Sequence, residues 1–375
     1  MPPHHPGGHS RLWFARSSHE RVHEELIPVG HEMTAAVLYG KEDLKIEQIP
    51  VPAPGPDEVL VHIRAALTCG TDLKVYRQGS HARMIVPPAV FGHELSGVVE
   101  EVGSNVRNFR KGMRVVAANS APCLECRYCR RGHPNLCERL LFNNGAYAEY
   151  ICIPGRIVQQ NLLEIPQHVD FADAALVEPL ACVLRGLEET GLQVGDTVAV
   201  IGMGPVGLMF TRLAKLKGAR VIAVVKRHSR GDAAKRMGAD EVVDMMEVQD
   251  PVAAVRKRTE GGLGVDVAFE AVGTPQTWEW AVNMVGRGGT VNFFGGCPTG
   301  SVVRLDTALL HYSEIKLMAS FHHTPQYIRK ALEYVSRGDI RGSDFITGTA
   351  PLTVLPELLR SMVNRNGDLK MAIVP

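Results

Sequence analysis

No stretch of this chain is apolar for long enough to cross a bilayer as a helix. Nor is one charge in excess: 41 Lys and Arg stand against 40 Asp and Glu, with no long basic run. That removes the electrostatic footprint of a partner of nucleic acid or of a membrane surface, and neither is expected here. The opening residues Met1–Ser10 are rich in His, Pro and Gly and lack the apolar core of a signal peptide. No internal repeat is visible, and no low-complexity block occurs beyond that opening tail. Eight cysteines without a secretion signal do not read as a disulfide framework. They point to metal binding in a reducing compartment, and the expected location is cytoplasmic.

What is present begins with four clustered cysteines. Cys123, Cys126, Cys129 and Cys137 are spaced C-x2-C-x2-C-x7-C. Four thiolates this close can enclose one tetrahedral Zn2+ and leave no open position, which makes the expected zinc structural. An iron–sulfur cluster is the alternative, but its usual motif is spaced differently and is followed by Pro. Glu138 follows Cys137 here.

A length of 375 residues suggests two or three domains. The first 32 residues carry His4, His5, His9, His19, His23 and His31 with little apolar periodicity. A histidine-rich tail can bind metal. The reading preferred is a flexible extension, or an upstream start before a natural beginning near Met33. From Thr34 to about Glu178 the text is β-like, with apolar runs such as Val59–Ile63 and Val98–Val102 broken by turn residues. Pro50, Pro52, Pro54 and Pro56 mark an extended connection. From about Val194 strands alternate with helical segments. The expected strands are Thr197–Ile201, Arg220–Val225, Glu241–Val243, Val265–Phe269, Thr290–Phe294 and Ile315–Ala319. Such alternation predicts an α/β fold with a parallel sheet covered by helices on both faces. Tyr327–Val335 and Pro356–Asn364 read as helices returning to the first domain.

The strand Thr197–Ile201 runs directly into Gly202-Met-Gly204-Pro205-Val206-Gly207, and an apolar helix follows. In that context the glycines read as a dinucleotide site. Gly202 allows the tight turn, Gly204 lets backbone approach a pyrophosphate, and Gly207 lets helix pack on strand. An NAD site usually ends its second strand with a carboxylate that binds the ribose 2′-OH. No carboxylate is present here: the chain reads Val225-Lys226-Arg227-His228. Lys226 and Arg227, with Arg230, favour a 2′-phosphate electrostatically, so the NAD(P) reading leans to NADP.

A second metal set is scattered: Cys69 in Cys69-Gly-Thr71-Asp72, His93 and Glu94 in Gly92-His93-Glu94-x2-Gly97, and Glu178 in Glu178-Pro179-Leu180. A Cys, a His and a carboxylate suit Zn2+ with one position left open. With the cysteine lobe, Gly145-Ala-Tyr-Ala-Glu149-Tyr150 and the glycine turn in this order, the chain resembles the zinc-dependent medium-chain dehydrogenases from Met33 to Pro375. The branch it most resembles holds the polyol (sorbitol) and threonine dehydrogenases. The resemblance implies a GroES-like β-rich catalytic domain and a Rossmann doubly wound cofactor domain. The expected boundaries are 33–183 for the first, with the lobe at about 119–140, 184–320 for the second, and 321–375 for the return.

The resemblance further implies a zinc held by Cys69 and His93, with either Glu94 or Glu178 completing the shell, and so two Zn2+ per chain with the lobe. Asp72 would fix the His93 tautomer. Thr71 would take the proton of an alcohol made acidic by the metal, and hydride would pass to the nicotinamide. Family members often place a His three residues after this Thr; here Lys74 stands there, which leaves the proton exit open. The implied substrate is a secondary alcohol or polyol, with a threonine-like amino alcohol as the alternative. A zinc- and dinucleotide-binding protein without turnover is the remote one. Tyr76, His81, Arg83, Phe142 and His322 are expected near the substrate, and a homo-oligomer, dimer or tetramer, is expected by analogy.

Overall fold

The computed structural model describes residues 32–80, 84–226, 228–364 and 369–375. The readings placed on the histidine-rich tail through His31, and on His81, Arg83 and Arg227, lie outside the described residues.

Val59–Leu67 is apolar over nearly its whole length because it is central to its sheet. It pairs antiparallel with Leu95–Val102, with Tyr150–Ile153 and with Lys370–Val374. The sheet runs Leu162–Glu164, Arg114–Ala117, Leu95–Val102, Val59–Leu67, Lys370–Val374, Ile346–Pro351. A three-stranded sheet of Asp43–Pro50, Glu32–Gly40 and Ala89–Val90 accompanies it. The prolines after Pro50 hold residues 51–58 out of regular structure, as their missing N–H groups require.

Two strands are longer than the sequence pattern indicates. Val59–Ile63 continues to Leu67, and Val98–Val102 begins at Leu95. Because these neighbours are antiparallel, the end of one meets the start of the other, and Leu67 N–H donates to Glu94 O at 3.1 Å. The strand ends thereby bring the Thr68–Cys69 step beside the His93–Glu94 step.

The second sheet is six-stranded and parallel, in the order Glu241–Asp244, Arg220–Val225, Thr197–Ile201, Val265–Glu270, Val285–Phe293, Lys316–Ala319. This is the doubly wound order, reversing between Thr197–Ile201 and Val265–Glu270, and such a reversal opens a crevice at the strand ends. The fifth strand starts five residues earlier than expected, because Gly286, Gly288 and Gly289 read as a turn yet sit within a strand carrying a register shift. The two C-terminal helices are Pro325–Ser336 and Leu355–Val363. The strands Ile346–Pro351 and Lys370–Val374 were not anticipated there. Among the described residues no helix is long and apolar enough to cross a membrane.

Candidate active site and metal centres

Cys69 is the N-cap of the helix Gly70–Gln78. Thr71 N–H donates to Cys69 Sγ at 3.4 Å, and Cys69 N–H donates to Asp72 Oδ2 at 3.0 Å. This capping box fixes the thiol at the helix mouth. Asp72 also turns inward: its Oδ1 lies 2.9 Å from Nδ1 of His93, and Tyr147 donates its phenol proton to Oδ2 at 2.5 Å. With Nδ1 so occupied, His93 keeps Nε2 for a ligand.

Cys69, His93 and Glu94 place one donor atom each within 4.8 Å of one another. Burial opposes an imidazolium at His93, but the negative charge of Asp72 and Cys69 overrides it and raises the pKa well above normal. The surroundings therefore favour a cation at this point, and the Cys, His and carboxylate donors fit Zn2+. Glu94 is fully buried and pairs with Lys370, whose Nζ lies 2.5 Å from Oε2 and 2.7 Å from Oε1. Lys370 also donates to Thr68 O at 2.9 Å. Burial pushes the Glu94 carboxyl up, and the Lys370 charge opposes that push.

Glu178 falls in a different group. It opens the buried helix Val177–Glu189 and lies with Cys182 and His322, again with donor atoms within 4.8 Å of one another. It is 6% exposed, makes no hydrogen bond among the described residues, and has His323 Nε2 at 3.8 Å. Burial lifts its carboxyl to about 7. His322 and His323 are held neutral by desolvation, His322 with its pKa lowered to about 3. The rings of Phe142 and His322 are 5.5 Å apart. Tyr76, expected near the substrate, is instead a core residue at 2% exposure, because it lies on the apolar face of its helix.

The four lobe cysteines converge as their spacing suggests. Their Sγ atoms lie within 4.8 Å of one another, with separations of 3.5 Å for Cys126–Cys129, 3.9 Å for Cys126–Cys137 and 3.4 Å for Cys123–Cys137. Zinc–sulfur bonds of about 2.3 Å in a tetrahedron imply sulfur separations of about 3.8 Å. Backbone N–H groups already point at the sulfurs: Cys123 and Arg139 donate to Cys137 Sγ, and Cys126 donates to Cys123 Sγ. Backbone donation from Glu125, ahead of the other contacts, lowers the Cys123 pKa to about 6, towards the thiolate a metal requires.

The glycine turn lies at the crevice of the parallel sheet. Gly202 has φ 93°, and a Cβ there would meet Val272 Cγ2 at 2.5 Å. A Cβ at Gly207 would meet Gly202 O at 1.8 Å. At Gly204 it would meet nothing within 4 Å, so this face is open to a ligand's approach. Gly204 is the N-cap of the helix Pro205–Leu216, in which Pro205 takes the first position and Val206 and Gly207 follow. Pro at the first position has no N–H to waste, and the free N–H groups behind it face the open side. Val225 ends its strand buried at 1% exposure, whereas Lys226 and Arg230 line the cleft. The cleft holds about 490 Å3 and also reaches Cys69, Gly202 and Gly204.

Three residues at these sites carried no signal that the sequence reading used. Lys370 sits in an unremarkable final strand. Cys182 lies one helical turn after Glu178, a spacing that would have flagged it once Val177–Glu189 was seen as a helix. Arg185 holds the Phe321 and His322 carbonyls at 2.6 and 2.9 Å, which no local pattern announces.

Known proteins resemble this chain in sequence and in fold. The family model of the alcohol dehydrogenase GroES-like domain matches residues 55–167, and that of the zinc-binding dehydrogenases matches residues 205–337. The sorbitol dehydrogenase of Bacillus subtilis is 33% identical over 92% of this chain and 98% of its own length. An L-threonine 3-dehydrogenase of Caldanaerobacter subterraneus is 36% identical over 70% of this chain and 76% of its own. A Sinorhizobium meliloti protein solved with NADP bound superposes with a TM-score of 0.85 at 30% identity, covering 92% of this chain and all of the other. Fold, order of motifs and these likenesses agree, and the chain belongs to the zinc-binding dehydrogenases with a GroES-like alcohol dehydrogenase domain, a family of oxidoreductases, in its polyol and threonine dehydrogenase branch.

Proposed function

We propose that this protein interconverts a secondary alcohol or polyol and its ketone, using a zinc in the Cys69–His93–Glu94 set and a nicotinamide dinucleotide. The observation that carries the reading is one cleft lined both by Cys69 and by the Gly202–Gly204 turn. Metal donor and cofactor cradle thus open on a shared space. When bound, Zn2+ supplies a Lewis acid and the nicotinamide a hydride acceptor.

The chain's own residues do the rest. Asp72 holds the Nδ1 proton of His93. Lys370 balances the charge of Glu94 from behind. Glu94 keeps further lone pairs beyond those that Lys370 occupies, so it can pair and ligate together. Glu178, buried and without a hydrogen bond, is the carboxylate left to receive a substrate hydroxyl or water. Thr71, two residues after Cys69, is the relay: its Oγ1 would accept the alcohol proton as its own hydroxyl proton passes on to water. Lys74, three residues further along the helix and exposed, donates from Nζ to Gly296 O at 3.5 Å, and the proton exit beyond Thr71 stays open.

Three further readings belong to this proposal. Two Zn2+ per chain are supported by two separate donor sets, the second being the cysteine lobe. NADP is favoured by the missing carboxylate, by Lys226 and Arg230 at the cleft and by the NADP-bound relative. A dimer or tetramer is favoured by the open edge strand Lys316–Ala319 with Leu317 and Tyr312 exposed beside it. The working division is 33–183 and 184–320, with 321–375 returning to the first unit, and free thiols suit a reducing cytoplasm.

The test is a panel of sorbitol, other polyols, simple secondary alcohols and L-threonine, each with NADP and with NAD. Oxidation of a polyol or secondary alcohol is expected to have the highest kcat/KM. A clear preference for threonine moves the assignment to amino alcohols, and no turnover of any, with both zincs in place, overturns it.

A further inference from the structure

Arg185 is a buried cation, 6% exposed, that the proposed reaction does not use. It lies in the helix Val177–Glu189, and all three of its nitrogens are engaged. Nε and Nη2 donate to the two carboxylate oxygens of Glu189 at 2.8 and 3.0 Å. Nη1 donates to the carbonyls of Phe321 and His322 at 2.6 and 2.9 Å. A third segment of chain reaches the same guanidinium. Asn135, 5% exposed, stands in the short helix Pro134–Leu136 between Cys129 and Cys137. Its amide oxygen accepts from Nη1 at 3.1 Å and from Nη2 at 3.3 Å. One guanidinium thus ties a helix, the cysteine lobe and the loop after the strand Lys316–Ala319 together.

We propose that Asn135 and Arg185 are positioning residues for His322, and that through them the cysteine lobe shapes the substrate side of the cleft for a hydroxyl beside the reacting carbinol. This rests on the proposed reading in which Glu178 faces the substrate.

His322 is held at that carboxylate. One of its ring nitrogens lies within 4.8 Å of a Glu178 oxygen, and Nε2 of the adjacent His323 is 3.8 Å from Glu178 Oε1. The His322 backbone has φ 68°. A positive φ at a non-glycine residue is strain that persists only where the surroundings enforce it. Here the grip of Arg185 on two successive carbonyls supplies the enforcement. Ser120 Oγ meets Nε2 at 2.5 Å and fixes the ring itself. Nδ1 is then the nitrogen left to a ligand, and His322 is only partly buried, so a ligand can reach it. An imidazole nitrogen gives or takes one hydrogen bond, which a second hydroxyl can meet and an alkyl group cannot. Lysine would not replace Arg185, because only a fixed fork of N–H donors meets a carboxylate, two carbonyls and an amide at once.

The experiment compares the full-length parent with Asn135→Leu, Asn135→Asp and Arg185→Lys on 2,3-butanediol and on 2-butanol. The two alcohols differ by one hydroxyl beside the carbinol. Asn135→Leu removes an acceptor from the guanidinium. The KM for the diol should rise about tenfold, the weight of one hydrogen bond, while kcat, the KM for 2-butanol and the KM for the dinucleotide stay unchanged. Asn135→Asp keeps an oxygen towards Arg185 and should restore the diol KM. Arg185→Lys keeps the charge without the fork and should raise the diol KM again. A crystal structure of Asn135→Leu should show the His322 ring out of hydrogen-bond reach of Ser120 Oγ. An unchanged diol KM in Asn135→Leu, or a rise shared equally by 2-butanol, overturns the proposal, as does a His322 ring still in place in that crystal structure. Absence of turnover of either alcohol by the parent counts against the proposed function instead, and the crystal structure then decides this proposal by itself.

Discussion

Asp72 Oδ1 stands 2.9 Å from Nδ1 of His93, and the same carboxylate receives the Tyr147 phenol and the Cys69 N–H. One buried side chain thus orients two metal donors at once. Asp72→Asn keeps the shape and removes the charge. Loss of an orienting partner of this kind typically costs ten- to a hundredfold in metal affinity. Dialysis against a chelator should strip one zinc from the variant much sooner than from the parent, while the lobe zinc stays. Equal retention would reduce Asp72 to a helix cap.

Lys370→Met should unfold at clearly lower urea concentration. Removing one partner of a buried pair strands the other charge, at about 3–5 kcal/mol, whereas replacing both is often nearly neutral. The double variant Glu94→Gln with Lys370→Met should accordingly recover most of the stability but not the catalytic zinc. A single variant as stable as the parent would show that Glu94 needs no counter-ion.

Cys123→Ser should lose the lobe zinc, because metal binding at such a site is coupled to local folding. Metal analysis should fall by one per chain and the thermal midpoint should drop. Turnover at low temperature should change far less than in His93→Ala. A variant that keeps both zincs would contradict the lobe assignment.

Thr71→Val keeps volume and removes the hydroxyl. Zinc content and dinucleotide binding should persist, while kcat falls on the order of a hundredfold, the usual weight of a positioned proton acceptor. Full rate at all pH values would move the proton route elsewhere.

Cofactor choice should respond to charge at the end of the second parallel strand. Val225→Asp with Lys226→Ala places a carboxylate where a 2′-phosphate would sit and removes a cation. One charge-assisted hydrogen bond of about 1.5–3 kcal/mol corresponds to tenfold or more in kcat/KM. The ratio of NADP to NAD efficiency should fall by at least that, and the parent's preference should weaken with added salt. A parent that strongly prefers NAD would leave Lys226 facing solvent only.

Much of this was legible because short motifs carry their own geometry. The lobe cysteines close within 15 residues of chain, and Gly202 to Gly207 within six. The parallel strands were readable because buried strands form apolar runs between helices. What escaped depended on distant partners. Lys370 meets Glu94 across 276 positions, and no local pattern links them. Cys182 belongs to none of the motifs, and its neighbours in the fold come from distant parts of the chain. Tyr76 was misplaced because an aromatic near a motif says nothing about which helix face it occupies. The strand Lys370–Val374 is five residues long, too short for its alternation to stand out.

That final strand carries a consequence for how the chain is made. Val59–Leu67 emerges from the ribosome about 300 residues before the segment that pairs with it, and the whole parallel sheet is synthesised in between. The six-stranded unit can close on itself while translation continues. The first sheet must wait with an open edge until Lys370–Val374 arrives, and Glu94 waits with it, a buried acid without its base. Assembly of the metal site is therefore a terminal event of synthesis, and a chain stopped a few residues early would carry the metal donors without the lysine that balances them.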